Sequence, residues 1–289
     1  QGDKNVENVV LTTESGSDPS GEVIRETNLQ VIPMGVVIGN ELKKDGSFPV
    51  TEVFEEYRRT KKVPTTSAVN PQEYVRFFRD LRRERPEAEI FHISYTSKAS
   101  STYGNARMAL NELGDDRIHL IDSENVSGGI SLLLLKAAEI LREAPDWETA
   151  AEQIRRYVKR ARVVFLPDTL EYLKAGGRVS NAAYLGASLL NIKPLIRIED
   201  GELKASKKYR GSMEKVAFQV LDDYFREFRL ERERLILFYV EGFSLDLLEQ
   251  MKGEALRRGI QKVYTFPIGC VISCHGGPGA FGIAGFEEE

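Results

Sequence analysis

Cysteine is nearly absent from this 289-residue chain, with only Cys270 and Cys274 present. That count rules out a disulfide framework and fits a reducing, cytoplasmic setting. No run of 18 or more apolar residues occurs. The longest apolar cluster, "ISLLLLKAAEIL", is interrupted by Lys136 and Glu139, so no membrane-spanning helix is expected. The opening "QGDKNVENVV" lacks the pattern of a signal peptide. Charge of one sign is lacking too: 40 Lys and Arg face 44 Asp and Glu, for a formal net charge of -4, which argues against a nucleic-acid surface. The basic runs "LRRERP" and "IRRYVKRAR" have helical spacing and read as solvated helix faces. No phosphate-binding G-x-x-x-x-G-K-[ST] loop and no G-x-S-x-G nucleophile turn is found.

What is present is an alternation of short β-rich runs with amphipathic segments. "NVVLTTES", "LQVIPMGVVI", "AEIFHISY" and "RIHLIDS" read as strands. "PVTEVFEEYRRT", "NPQEYVRFFRDLRRE", "GGISLLLLKAAEILRE" and "WETAAEQIRRYVKRA" read as helices. Asn70 is placed to cap the second of these, Pro71 to fill its first turn, and Tyr74, Phe77, Phe78 and Leu81 to form its buried stripe. Such β-α alternation predicts a mostly parallel sheet covered by helices.

The pattern changes near Val163. There follow a strand, a short helix, the Gly176-Gly177 pair, a second helix with Ser180 as its cap, and a hairpin turning on Asp200-Gly201. After these come a helix over 212–228, a strand, a helix over 245–258, a strand and a Gly-rich tail. The expected fold is α/β with two domains, an N-terminal one over 1–162 and a C-terminal α+β one over 163–289.

Between Ser94 and Tyr103, eight of ten residues carry a hydroxyl. This stretch leaves a strand and opens a helix, the end of an open parallel sheet where ligands bind. Unpaired amides of a first helical turn and neutral Ser or Thr donors suit a small anion. A local helix cap at Ser100, Ser101 or Thr102 with the rest solvated is the plainer reading. Thr65, Thr66 and Ser67 form a second hydroxyl cluster ahead of the Asn70 helix, where a local turn is again the plainer reading.

In the tail, Gly277, Gly279 and Gly282 match G-x-G-x-x-G, but no room remains for the helix and distant acid of a dinucleotide site. His275 is read as lying in a Gly-rich turn at a strand end, able to pair with an anion when protonated or donate one bond when neutral. Cys270, Cys274 and His275 do not make a closed zinc site, and on an extended segment the two thiols would lie more than about 12 Å apart. His92 and His119 read as packing residues. Arg178, after the glycine pair, suits anion recognition or a surface ion pair.

These features together resemble the DegV family of bacterial fatty-acid-binding proteins. "LTTESGSD" is similar to its V-T-D-S-T-A-D segment, and "VPTTSAVNPQEY" to T-S-Q-P-S-P-x-E-F. "SKASSTYGNARMA" is similar to S-S-x-L-S-G-T-Y-Q-S-A, and "IDSENVSGG" to I-D-S-x-x-x-S-x-G. "DTLEYLKAGGRVSNAAYLGASLLNIKPLI" is close to D-T-L-E-Y-L-x-x-G-G-R-I with L-L-N-I-K-P-I-L, and "GCVISCHGGPGAFGI" to G-x-V-I-x-x-H-x-G-P-G-A-x-G. Glu14 stands in place of the usual Asp, Ser101 of Gly, and Cys270 and Cys274 of Pro and Thr.

The resemblance implies a long-chain fatty acid in a buried tunnel at or near the domain interface, with no other cofactor and no metal. Thr66, Ser67, Ser100, Ser101 and His275 would hold its carboxylate. Arg178 would lie near the site and serve the phosphorylated product or a partner. The partner implied is the ATP-binding subunit of a fatty acid kinase, in a pathway of phospholipid synthesis. The chain would be a carrier without turnover of its own, with transient contact at a membrane surface left open. A sixteen-carbon tail offers roughly 10 kcal/mol of gross burial energy, against which the buried head group needs donors to replace water. The rival reading is an acyl hydrolase or transferase with Ser100 as nucleophile and His275 as base.

Overall fold

Apolar runs that are buried on both faces build the centre of the molecule. A computed structural model describes residues 8–186 and 191–289. In chain order the elements are β1 (Val9–Glu14), α1 (Gly21–Thr27), β2 (Gln30–Ile32), β3 (Gly35–Ile38), β4 (Glu41–Lys44), α2 (Thr51–Thr60), β5 (Thr65–Ser67) and α3 (Pro71–Glu84). Then come β6 (Glu89–Ser94), α4 (Thr102–Leu113), β7 (Ile118–Asp122), α5 (Gly128–Glu143), α6 (Trp147–Arg160), β8 (Ala161–Leu166) and α7 (Glu171–Gly176). The chain continues with β9 (Ile192–Glu199), β10 (Glu202–Arg210), α8 (Met213–Glu227), β11 (Arg234–Tyr239), α9 (Leu245–Arg257), β12 (Lys262–Pro267), α10 (Cys270–Gly276) and β13 (Phe281–Phe286).

Three sheets result. The first, in the order β2-β1-β6-β7, is wholly parallel. A small antiparallel sheet runs β4-β3-β5. The third, β10-β9-β8-β13-β11-β12, is mixed, with only β11 and β12 parallel. Nearly every residue of α5 is buried, and the helix touches strands of both large sheets. Its Lys136 reaches the surface through ion pairs to Glu139 (2.9 Å) and Glu233 (2.8 Å). Among the described residues no helix is long and apolar enough to cross a membrane.

Local signals are honoured where expected. The Asn70 side chain accepts from the Glu73 amide and Glu73 returns a bond to the Asn70 amide, both at 2.9 Å, closing a capping box with Pro71 in the first turn. Asp200 and Gly201, both at positive φ, turn β9 into β10. Other expectations fail. "LQVIPMGVVI" is two strands in two sheets, because Pro33 has no N–H to continue a ladder. Ser180 caps no helix; its amide (2.8 Å) and hydroxyl (3.2 Å) both donate to the Leu203 carbonyl. The helix expected after it begins as a single 3-10 turn, Ala182–Leu185, and its remainder, 187–190, lies outside the described residues.

One packing constraint ties the mixed sheet to the start of α5. Phe238 of β11 lies between Gly128 and Gly282, and a methyl group at those positions would stand 2.2 and 2.1 Å from its ring. Gly282→Ala therefore overpacks this site and should cost about 1–3 kcal/mol. A lowered urea midpoint at unchanged slope is the expected outcome, and an unchanged midpoint would show that Phe238 has room to move.

Candidate functional site

The parallel sheet ends at its carboxyl edge in buried polar groups. Glu14 accepts from the His92 ring (2.7 Å), the Ser94 hydroxyl (3.0 Å), the Tyr95 amide (3.0 Å) and the Tyr74 hydroxyl, and Thr12 bonds the other His92 nitrogen at 2.7 Å. Burial alone would raise the Glu14 carboxyl; the charge and hydrogen bond of His92, with Tyr74 and the Tyr95 amide, hold it below the ordinary range. His92 is thus the centre of a polar network rather than a packing residue only. His119 does pack, stacked on Phe91 at 4.4 Å, with a bond to Glu89.

Above this edge sits α10, and here the sequence reading needs correction. His275 is not in a strand-end turn; it occupies the last turn of a seven-residue helix. Two acids substitute for an N-cap: Asp18 accepts from the Gly269 amide (2.8 Å) and Asp45 from the Cys270 amide (2.9 Å). Both carboxyls are pushed up by burial, Asp18 further by the charge of Asp45. The helix also brings Cys270 and Cys274 within about one turn, so the separation an extended segment would give does not apply. Burial, then Asp45, pushes the Cys270 thiol up to about 12, and burial raises Cys274 as well, so neither is a poised nucleophile. Among the described residues no group of three His, Cys, Asp or Glu could hold a metal ion.

His275 Nε2 lies 3.0 Å from Thr66 Oγ1. Its Nδ1 is buried without a hydrogen-bond partner and faces Gly176, where a methyl would stand 2.3 Å from it. An unpaired acceptor is less costly there than an unpaired N–H, so the proton belongs on Nε2. The imidazole then donates to Thr66, and the Thr66 hydroxyl is free to donate onward. Burial, with a smaller effect of the Arg178 charge, lowers the ring to about 4, so it is neutral at physiological pH.

Arg178 is exposed, and its guanidinium donates to the carbonyls of Gly176 (2.7 Å) and Ala99 (3.1 Å). It forms no ion pair with a described residue, so the surface ion pair weighed above does not exist among them. Ser100 accepts from the Thr102 amide (3.1 Å) and shares a hydrogen bond with the Thr102 hydroxyl (2.7 Å). The Ser101 hydroxyl does not cap α4; it only meets the Asn105 amide group at 3.5 Å. The Ser67 hydroxyl reaches the Ala68 carbonyl at 3.5 Å, and Thr65 is exposed.

Thr66, Ser67, Ser100, Ser101, Arg178 and His275 nevertheless line one cavity of about 310 Å³, together with Met34, Tyr95 and Val271. Past Tyr95, Arg178 and His275 begins an apolar seam walled by Phe165, Leu173, Ile196, Leu203, Phe238 and Ile272. The seam holds only about 30 Å³, far below the roughly 300–1,000 Å³ of ordinary ligand cavities. The expected tunnel is therefore closed down, and a long tail enters only if these side chains move.

Comparison with known proteins gives this arrangement a lineage. A family model described as "Uncharacterised protein, DegV family" matches residues 8–288. The chain belongs to the DegV family. A DegV domain-containing protein of Caldanaerobacter subterraneus is 31% identical over 286 residues, which is 98% of this chain and 100% of the relative. Among solved structures, a DegV family protein from Thermus thermophilus, described for its fatty acid binding, is 27% identical. It has a TM-score of 0.86 and is covered in full, against 97% of this chain. A DegV lipid-binding protein from Thermotoga maritima is 25% identical with a TM-score of 0.82, over 98% of this chain and 100% of that one.

Sequence reading of this DegV chain missed three contributors. Asp18, before Pro19, and Asp45, before Gly46, are legible only as turn residues, and Tyr95 sits inside the hydroxyl-rich stretch without any spacing that singles it out. The neutral state of His275 is directly testable. Its ring proton resonances should titrate with a midpoint at about 4 in the folded chain. Because the unfolded ring takes its proton near 6.5, stability should fall as pH drops from about 6.5 toward 4, and His275→Gln should remove that part of the fall. A midpoint near 6.5 would contradict the burial assigned here.

Proposed function

We propose that this chain binds a long-chain fatty acid, its carboxylate in the 310 Å³ cavity and its tail in the adjoining seam, and presents the head group to the ATP-binding subunit of a fatty acid kinase. One observation carries the reading: hydroxyls from strand β5 and from the distant loop ahead of α4, a neutral imidazole and an arginine line a single cavity that opens onto an apolar seam. The fatty-acid- and lipid-binding relatives of the same fold support it. On this reading the two large sheets belong to two domains that part near residue 162, with the site between them.

The donor set suits presentation. Thr66, Ser67, Ser100 and Ser101 supply bonds without a counter-charge, which replaces the water lost by a buried carboxylate and leaves its oxygens nucleophilic. Ser100 gives up its local bond to Thr102 to do so. Arg178, already fixed on two carbonyls at the cavity rim, is placed for the added charge of an acyl phosphate. The hydrolase alternative finds less support. The imidazole bonds Thr66, Ser100 bonds Thr102, and among the described residues no carboxylate orients Nδ1.

The test has two parts. Lipid extracted from the purified native chain and identified by mass spectrometry should be a long-chain acid. Thr66→Ala and Ser100→Ala should each weaken its binding by about 1–3 kcal/mol. Wild-type affinity in both variants would refute the site, and turnover of an acyl ester by the chain alone with an adduct on Ser100 would favour the hydrolase.

A further inference from the structure

Tyr95 stands at the junction of the two cavities, and it is one of three residues, with Arg178 and His275, that line both. Its position is fixed from below and from one side. The amide donates to Glu14 at 3.0 Å, which ties the residue to the buried Glu14–His92 network. The ring packs on Gly16, where a methyl group would stand 2.9 Å from Cδ2. The residue as a whole is only 7% exposed; its hydroxyl makes no hydrogen bond to any described residue, and its oxygen is not fully buried but keeps some solvent contact where the residue lines the two cavities. Interior phenols ordinarily find a partner. An O–H on a ring held from two sides, bonded to no described side chain and accessible where a donor-rich cavity meets an apolar seam, is free to bond whatever occupies that junction. Burial, then the charge of Asp18, raises this phenol well above its ordinary range, so it is a donor at any physiological pH.

We propose that Tyr95 is a further head-group ligand, whose phenol donates to the fatty acid carboxylate from the seam side and so marks the point where head ends and tail begins. The proposal rests on the fatty-acid reading above. It gives the carboxylate a neutral donor on its inner face, opposite the hydroxyls of Thr66 in β5 and of the Ser100 loop. It also makes the site selective for an ionised head group over a neutral one, because a hydrogen bond to a charge is the stronger.

Tyr95→Phe removes one oxygen and keeps the ring on Gly16. Binding of palmitate and of methyl palmitate is measured for wild type and variant at pH 7.5, alongside the thermal midpoint of each. Palmitate affinity should fall roughly 10- to 100-fold, the usual worth of a bond to a charged group. Methyl palmitate affinity should fall several times less than that, by roughly 2- to 10-fold, because the bond lost is a neutral one. Unchanged palmitate affinity, or equal losses for acid and ester, would overturn the proposal by reducing Tyr95 to a packing residue. Failure of the wild type to bind palmitate would remove both this assignment and the function on which it rests. Tyr95→Leu gives an independent check: it lacks the same donor, so its acid-to-ester preference should fall as far as that of the Phe variant, and a retained preference would again overturn the assignment.

Discussion

A single hydrogen bond, 3.0 Å between Thr66 and His275, joins parts of the chain 209 residues apart, and the site depends on it. It connects the edge strand of the small sheet to the last turn of α10. The imidazole stays neutral because it is buried against Gly176 and beside Arg178, and its one proton is committed to Thr66. That commitment leaves the Thr66 hydroxyl to face the cavity as a donor. Asp18 and Asp45 hold the other end of the same helix, so the geometry at His275 is fixed from a distance by two buried acids.

This arrangement explains why the cavity is polar without being strongly charged. Its side chains offer hydroxyl donors, a neutral ring and one guanidinium bound to backbone carbonyls. A fully ionic clamp would bind a carboxylate tightly and dull its oxygens. Neutral donors satisfy it at lower cost to its reactivity, which suits the proposed presentation of the ligand to a phosphoryl-transfer partner. The closed seam adds a second constraint. Gly128 and Gly282 leave just enough space for Phe238, and on the proposed function a tail must displace packed side chains to gain its burial energy.

Much of this was legible in the sequence, where the signals are local. The parallel sheet followed from β-α alternation, the α3 start from Asn70, Pro71 and Glu73, and the β9–β10 hairpin from Asp200-Gly201. Family motifs brought Thr66, Ser100, Arg178 and His275 together before any coordinates did. What failed was set by tertiary contacts. "CVISCHG" is short and rich in β-branched residues and cysteine, so it reads as extended. It is helical because Asp18 and Asp45, more than two hundred residues earlier, satisfy its first amides. Tyr95 was invisible for the same reason: nothing in "ISYTSK" reveals that its phenol is left without a partner.

The central claim is that neutral donors make an ionised head group tolerable away from solvent. It is tested most directly by loading the chain with palmitate labelled with ¹³C at the carboxyl carbon and following that resonance with pH. The bound acid should keep the shift of an ionised carboxylate from pH 8 down to about pH 5, since hydrogen bonds to the charged form favour it. A bound signal at the shift of the protonated acid at pH 7 would show that burial wins over the donors, and the account would be wrong.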